Sequence, residues 1–198
     1  MMSVVNYRPL SIAELPKLVQ IRARYVTDTV LAVRRIGSFP HFGWQLEEVP
    51  IDPPYDKGDL YNFSPDTQAF IQSRMDRPDE AYTLVAESDD KFVGMLDMEL
   101  QSWNNTAFIW NLMIDQAYRR QGIGKHFWQL AVAQANRWQV RAITLETQHT
   151  NVAACYFYQH MGCELIGLNE MLYGNPPSIS EPIRRNPEVA LFWAYSLL

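Results

Sequence analysis

Apolar and polar positions alternate most regularly between Ala81 and Ile114. Within Lys91–Gln101, Phe92, Gly94, Leu96, Met98 and Leu100 alternate with Lys91, Asp97, Glu99 and Gln101, a period of two that predicts a strand with one buried face. The runs Ala81–Ser88 and Thr106–Ile114 flank it across Asp89-Asp90 and Asn104-Asn105, residues suited to tight turns, so a three-strand meander is expected. The rhythm then becomes helix from Gly122 to about Trp138, strand over Arg141–Gln148, helix over Asn151–Met161 and strand over Cys163–Tyr173. Glu188–Leu198 reads as a closing strand.

The first third of the chain is less regular. Val4–Pro9 reads as a short strand, and Ser11 with Glu14 forms the S-x-x-E pattern that opens a helix reaching about Arg24. A second helix is expected around Thr27–Arg35, ending at Gly37. From Ser38 to Phe63 no period survives among prolines, glycines, acids and the aromatics Phe39, Phe42, Trp44, Tyr55 and Tyr61. The reading is a loop-rich insertion at about 38–63, either a ligand cover or a packed surface loop. Ser64-Pro65-Asp66 then supplies an N-cap followed by proline at the first helical position, for a helix to about Met75. These elements predict one mixed α/β domain over residues 1–198, its central sheet mostly antiparallel, of about seven strands, with helices on both faces.

Composition narrows the function. Hydrophobic residues at 47% and charged residues at 20% are ordinary for a globular domain. A formal charge of −5 gives no attraction to phosphate backbones, which speaks against a nucleic-acid partner and is compatible with a cationic substrate. No apolar run approaches the roughly 18 residues that span a bilayer, and Met1–Arg8 lacks a signal-peptide pattern, so no membrane partner and a cytoplasmic location are expected. Cys155 and Cys163, the only cysteines, fit reduced packing residues, and no metal site is expected.

The most informative chemistry lies at Leu112–Lys125, where a strand enters a helix through a bend containing Gly122 and Gly124. The first N–H groups of a helix have no internal partner and its dipole is positive there, so such a bend can hold a pyrophosphate. Arg119, Arg120 and Lys125 add positive charge. Ile123, Phe127, Leu130, Ala131, Ala135 and Trp138 form an apolar face that anchors the helix. A dinucleotide fingerprint is the competing reading, with Glu146 as the ribose acid, but Phe127 occupies its third glycine position and an antiparallel meander is wrong for that fold.

Arg119-Arg120-Gln121-Gly122-Ile123-Gly124 resembles the R/Q-x-x-G-x-G/A signature of the GNAT superfamily of N-acetyltransferases, with Leu112, Ile114 and Tyr118 where that pattern expects them. Asn151–Tyr158 followed by Met161-Gly162 resembles the second motif of that family. Within it, Trp103-Asn104-Asn105, Leu145–Cys155 and Glu188–Trp193 look like segments of streptothricin acetyltransferases. Those enzymes carry acids where this chain has Trp110 and Asn111.

The resemblance implies acetyl-CoA as co-substrate, transfer to a primary amine of a small molecule in a ternary complex, and a monomer or homodimer. A streptothricin-like or other aminated antibiotic is the acceptor it suggests, and with it antibiotic resistance. Main-chain groups of Leu112, Met113 and Ile114 would bind pantetheine, Arg119–Gly122, Gly124 and Lys125 the diphosphate, and Asn151 and Ala154 would flank the cofactor chain. Tyr158, on the helix face shared by Asn151 and Ala154, would hydrogen-bond the departing thiolate. Glu146 is the first choice of base, ahead of Asp97 and Glu99; His149 reads as a surface residue. A peptide or protein acceptor, and a sensor that binds acetyl-CoA without turnover, are the alternatives.

Overall fold

The computed structural model describes residues 4–58, 63–173 and 188–197. Nine strands and three α-helices are present among them: β1 Asn6–Pro9, β2 Val26–Ser38, β3 His41–Asp56, α1 Pro65–Met75, β4 Ala81–Ser88, β5 Lys91–Gln101, β6 Thr106–Ile114, α2 Ile123–Arg137, β7 Ala142–Gln148, α3 Val152–His160, β8 Glu164–Asn169 and β9 Ala190–Ser196. Seven of the strands form one sheet in the order β1-β4-β5-β6-β7-β9-β8, while β2 and β3 pair only with each other. Pairing is antiparallel from β1 to β6 and between β8 and β9, and β6 runs parallel to β7. The mixed, mostly antiparallel sheet of seven strands expected from the sequence is present. No helix among the described residues is long and apolar enough to cross a membrane.

The chain divides into two compact units, one of residues 1–24, 58–145 and 195–198, the other of residues 25–57 and 146–194. In the first, the meander matches its predicted bounds, and its turns rest on Asp89, Asp90 and Asn105, all with positive φ. Strand β5 departs from the one-faced reading: both faces are buried, Asp97 and Glu99 included. On one face Met95 joins a cluster with Leu15, Leu18, Ile71 and Val85. On the other, Gly94 admits α2 so closely that a Cβ there would lie 3.1 Å from the Phe127 ring and 3.0 Å from the Met113 carbonyl. Helix α2 buries Ile123, Phe127, Ala131 and Ala135 as its pattern requires, together with Trp128, which the stripe did not include. Helix α1 starts as predicted, with the Ser64 hydroxyl accepting from the Thr67 N–H.

The segment after Ser11 is a 3-10 helix over Ile12–Gln20, shorter than expected. Pro16 inside it removes a donor. Glu14 is not a reciprocal cap either, because it is held by Arg8 and Lys17.

The larger corrections fall in the second unit. Thr27–Arg35 is not helical and 41–56 is not a loop: together they make the hairpin β2–β3, paired from Val26↔Asp56 to Ser38↔His41 with a register shift between Thr27 and Thr29. The β-branched Thr27, Thr29, Val30 and Val33 fit a pleated strand better than a helix, and strand β3 hides its period behind Pro50, Pro53 and Pro54. Gly37, at φ +70°, is required at the hairpin end, since a Cβ there would sit 2.2 Å from the His41 carbonyl oxygen. Strand β8 stops at Asn169, and a turn then carries the chain through Met171 to Tyr173, with the Asn169 side chain accepting from the Met171 N–H at 2.8 Å.

Candidate active site

The bend between β6 and α2 is built by Asp115. Its buried carboxylate accepts from the Arg22 N–H at 2.9 Å and the Ala117 N–H at 2.8 Å, while the Gln116 N–H donates to the Arg22 carbonyl at 2.9 Å. This double clasp fixes the exit of β6, and sequence reading passed over Asp115 because its partner lies 93 positions away. Arg119 is a strut of the same bend, donating to the carbonyls of Ala23 at 2.7 Å and Ile114 at 3.3 Å. Half-buried, it has its pKa lowered by desolvation. Arg120, at φ +63°, and Lys125 are exposed, as is Gln121, whose side chain donates to the Ala117 carbonyl at 3.1 Å.

Gly122 adopts φ +88° as the N-cap of α2, and a Cβ there would meet nothing within 4 Å. The first helical bond runs from the His126 N–H to the Gly122 carbonyl at 3.0 Å. The N–H groups of Ile123, Gly124 and Lys125 precede it and are the donors a helix start leaves over. Open space beside an exposed left-handed glycine, with these donors and two exposed cations next to it, fits an oxygen-rich dianion such as a diphosphate.

On the buried polar side of β5 the same unit neutralises its own acids. Asp97 is bound by Arg74, by the Thr83 hydroxyl at 3.2 Å and by the Asn111 amide at 3.0 Å. Glu99 is bound by Arg77, by the Gln101 amide at 2.9 Å and by the Trp110 indole at 2.8 Å. Neither carboxylate is left as a free base. Trp110 and Asn111, at the positions where the resemblance leads one to look for acids, are donors to these two carboxylates.

The second unit gathers the other candidates. Asn151 caps α3 by accepting from the Ala154 N–H at 3.3 Å. Tyr158 is buried on α3 beside Trp193, with ring centroids 6.5 Å apart. Its hydroxyl is pushed above the ordinary phenol range by burial, with smaller contributions from Cys163, Cys155 and Glu146. Glu146 is raised above the usual carboxylate range by burial, against the hydrogen bond from Tyr173 and the charge of Lys57, which lower it. Its Oε2 accepts from the Tyr173 hydroxyl at 2.5 Å, and Oε1 is buried with no partner among the described residues.

Behind these groups lies a buried ion pair that sequence reading missed. Glu188 takes both oxygens to Lys57 Nζ, at 2.8 and 2.7 Å, and also accepts from Tyr55 at 3.0 Å and Thr150 at 2.9 Å. His149, expected at the surface, is buried instead: its N–H donates to the Val189 carbonyl at 3.0 Å and its Nδ1 accepts from the Val189 N–H at 2.9 Å. An imidazole that accepts at Nδ1 carries its proton on Nε2 and stays neutral.

Burial lowers the His149 pKa from 6.5 to about 4. A depressed histidine pKa means that the unfolded chain binds the extra proton first. The stability this imidazole confers is whole above pH 6.5 and is lost as pH falls toward 4, by up to about 3 kcal/mol. Urea denaturation at pH 7 and pH 4.5 is expected to record that fall, and His149→Asn, which keeps an acceptor near Nδ1, to flatten it. An equal slope in the variant refutes the assignment.

The chain belongs to the acetyltransferase (GNAT) family, whose profile matches residues 43–163. Among curated proteins it is 31% identical over 94 residues to streptothricin acetyltransferase A of Bacillus subtilis (strain 168), covering 48% of this chain and 50% of that protein. It is 28% identical over 159 residues to the streptothricin acetyltransferase of Streptomyces lavendulae, covering 79% and 80%. The match spans about half the length of the B. subtilis protein and of its Escherichia coli counterpart. Among solved structures, nourseothricin acetyltransferase superposes with a TM-score of 0.78 at 25% identity, covering 98% of this chain and 99% of that one. A Bacillus anthracis str. Ames protein assigned as a streptothricin acetyltransferase, solved in complex with acetyl coenzyme A, superposes at 0.73 with 23% identity over 98% and 100%.

Proposed function

We propose that the whole chain acts as one N-acetyltransferase that moves the acetyl group of acetyl-CoA to a primary amine of a small, cationic molecule, with an aminated antibiotic of the streptothricin class as the first acceptor to test. The observation that carries this reading is the bend at Gly122: amides at a helix start, open space where a side chain would be, and Arg120 and Lys125 exposed beside it. Ile123, Gly124 and Lys125 N–H groups hold the diphosphate, and main-chain groups of Leu112, Met113 and Ile114 run along the pantetheine. Arg119, committed to two carbonyls, shapes the bend.

The chemistry uses two side chains. Glu146 takes one proton from the acceptor's ammonium group, freeing the nitrogen lone pair to form the C–N bond with the acetyl carbonyl carbon. The C–S bond breaks with its electron pair left on the CoA sulfur, and the second nitrogen proton reaches that sulfur, giving amide and free thiol. Tyr158 hydrogen-bonds the developing thiolate. Its raised pKa makes outright proton donation harder and leaves hydrogen bonding as its contribution.

Release of CoA from acetyl-CoA, followed with a thiol reagent against streptothricin, spermidine and lysine, tests the reading. Turnover with at least one amine is expected, and acetyl-CoA binding without turnover on any would leave a sensor instead. Tyr158→Phe is expected to lower kcat by about tenfold while the affinity for acetyl-CoA stays the same, the mark of an interaction made in the transition state. An unchanged kcat removes Tyr158 from the chemistry.

A further inference from the structure

Three side chains of the second unit meet where β7 ends. The Gln148 amide donates to the Tyr173 hydroxyl at 2.8 Å, and that hydroxyl donates to Glu146 Oε2 at 2.5 Å. A phenol that accepts one bond and donates another has a single orientation for its proton. The Oε2 end of the carboxylate is thereby held, and its second oxygen, Oε1, is buried with no hydrogen-bond partner among the described residues. An ionised carboxylate oxygen in that position is costly unless something supplies a proton donor, and the penalty for an unmet buried acceptor exceeds the gain of an ordinary hydrogen bond.

Resting on the acyltransferase reading above, we infer that Tyr173, held by Gln148, is a positioning residue that aims Glu146 Oε1 at the ammonium group of the acceptor. The acceptor's N–H is the donor that Oε1 lacks, and a charged ammonium meets it better than a neutral alcohol or amide would. Acceptor choice and proton removal then fall to the same atom. The turn that delivers Tyr173 is itself held: Asn169 accepts from the Met171 N–H at 2.8 Å, and Glu170 is paired with Arg35 at 2.7 Å.

The groups that bear on Glu146 are Tyr173, Lys57, Glu188, Tyr158 and Cys155. Burial raises its pKa most, Tyr173 and Lys57 pull it down, and Glu188 pushes it up. Removing the Tyr173 hydroxyl takes away a bond made to the charged form, so the Glu146 pKa must rise. Activity that needs ionised Glu146 then appears only at higher pH.

The test is the pH profile of kcat/KM from pH 5 to 9.5, for the full chain with whichever of streptothricin, spermidine and lysine the wild type acetylates. In Tyr173→Phe the acidic limb is expected to move up by about one pH unit, a rate about tenfold lower below the limb that recovers above it. Gln148→Leu is expected to move the limb the same way by less, and it carries the test should Tyr173→Phe not fold. Loss by one factor at every pH, with the limb unmoved, overturns this role while the acyltransferase reading stands. No CoA release by the wild type with any amine overturns both.

Discussion

Replacing Lys57 by methionine is expected to lower the free energy of unfolding by about 3 to 5 kcal/mol, the cost of leaving one member of a buried ion pair without its counter-charge. Lys57 and Glu188 are 6% and 5% exposed, and the lysine meets both carboxylate oxygens. Tyr55 and Thr150 would still donate to Glu188 after the change, but neutral hydroxyls do not balance a charge withdrawn from water. The pair itself need not be worth that much, because two charges desolvated together roughly break even against a well-packed apolar pair. Lys57→Met combined with Glu188→Leu should therefore recover most of the loss. Denaturant titrations of the single and double variants check both statements, and a single-variant loss under about 1 kcal/mol would mean that the carboxylate finds water or another cation.

Glu146→Gln is expected to reduce kcat about a hundredfold or more, the usual consequence of losing a positioned base, while acetyl-CoA binds as before. The amide preserves shape and can still accept from Tyr173, so the loss isolates proton removal from packing. The deficit should shrink above about pH 9, where a larger share of an ordinary amine is already neutral and the base has less to do. A deficit equal at every pH would assign Glu146 to binding alone. An unaltered kcat would pass the proton to water.

How legible these features were depended on how far their causes lie apart in the chain. The meander could be read because period-two alternation and its turn residues are local, and the caps Ser64 and Asn151 because their bonds reach only to Thr67 and Ala154. The bend at Gly122 belonged to the same class. The hairpin β2–β3 escaped because a strand of its kind is stabilised by a partner, and Thr27–Arg35 taken alone carries enough leucine, alanine and arginine to suggest a helix. Asp97 and Glu99 were placed as candidate bases because nothing nearby in sequence announces Arg74 and Arg77 on another element. Glu146 was singled out as the first candidate base from its place at the end of a strand. Its link to Tyr173, 27 positions on, required the turn after Asn169. His149 misled for the opposite reason: a polar residue before a helix is ordinarily solvated, and here Val189 satisfies it 40 positions away.

At Gly94 the absence of a single carbon governs two neighbours at once. The Met113 carbonyl and the Phe127 ring both rest against the bare main chain there, one on the strand assigned to pantetheine and the other on the helix assigned to the diphosphate. The two segments proposed to hold the cofactor thus close on the same bare stretch of main chain, where any larger residue would have to displace one of them.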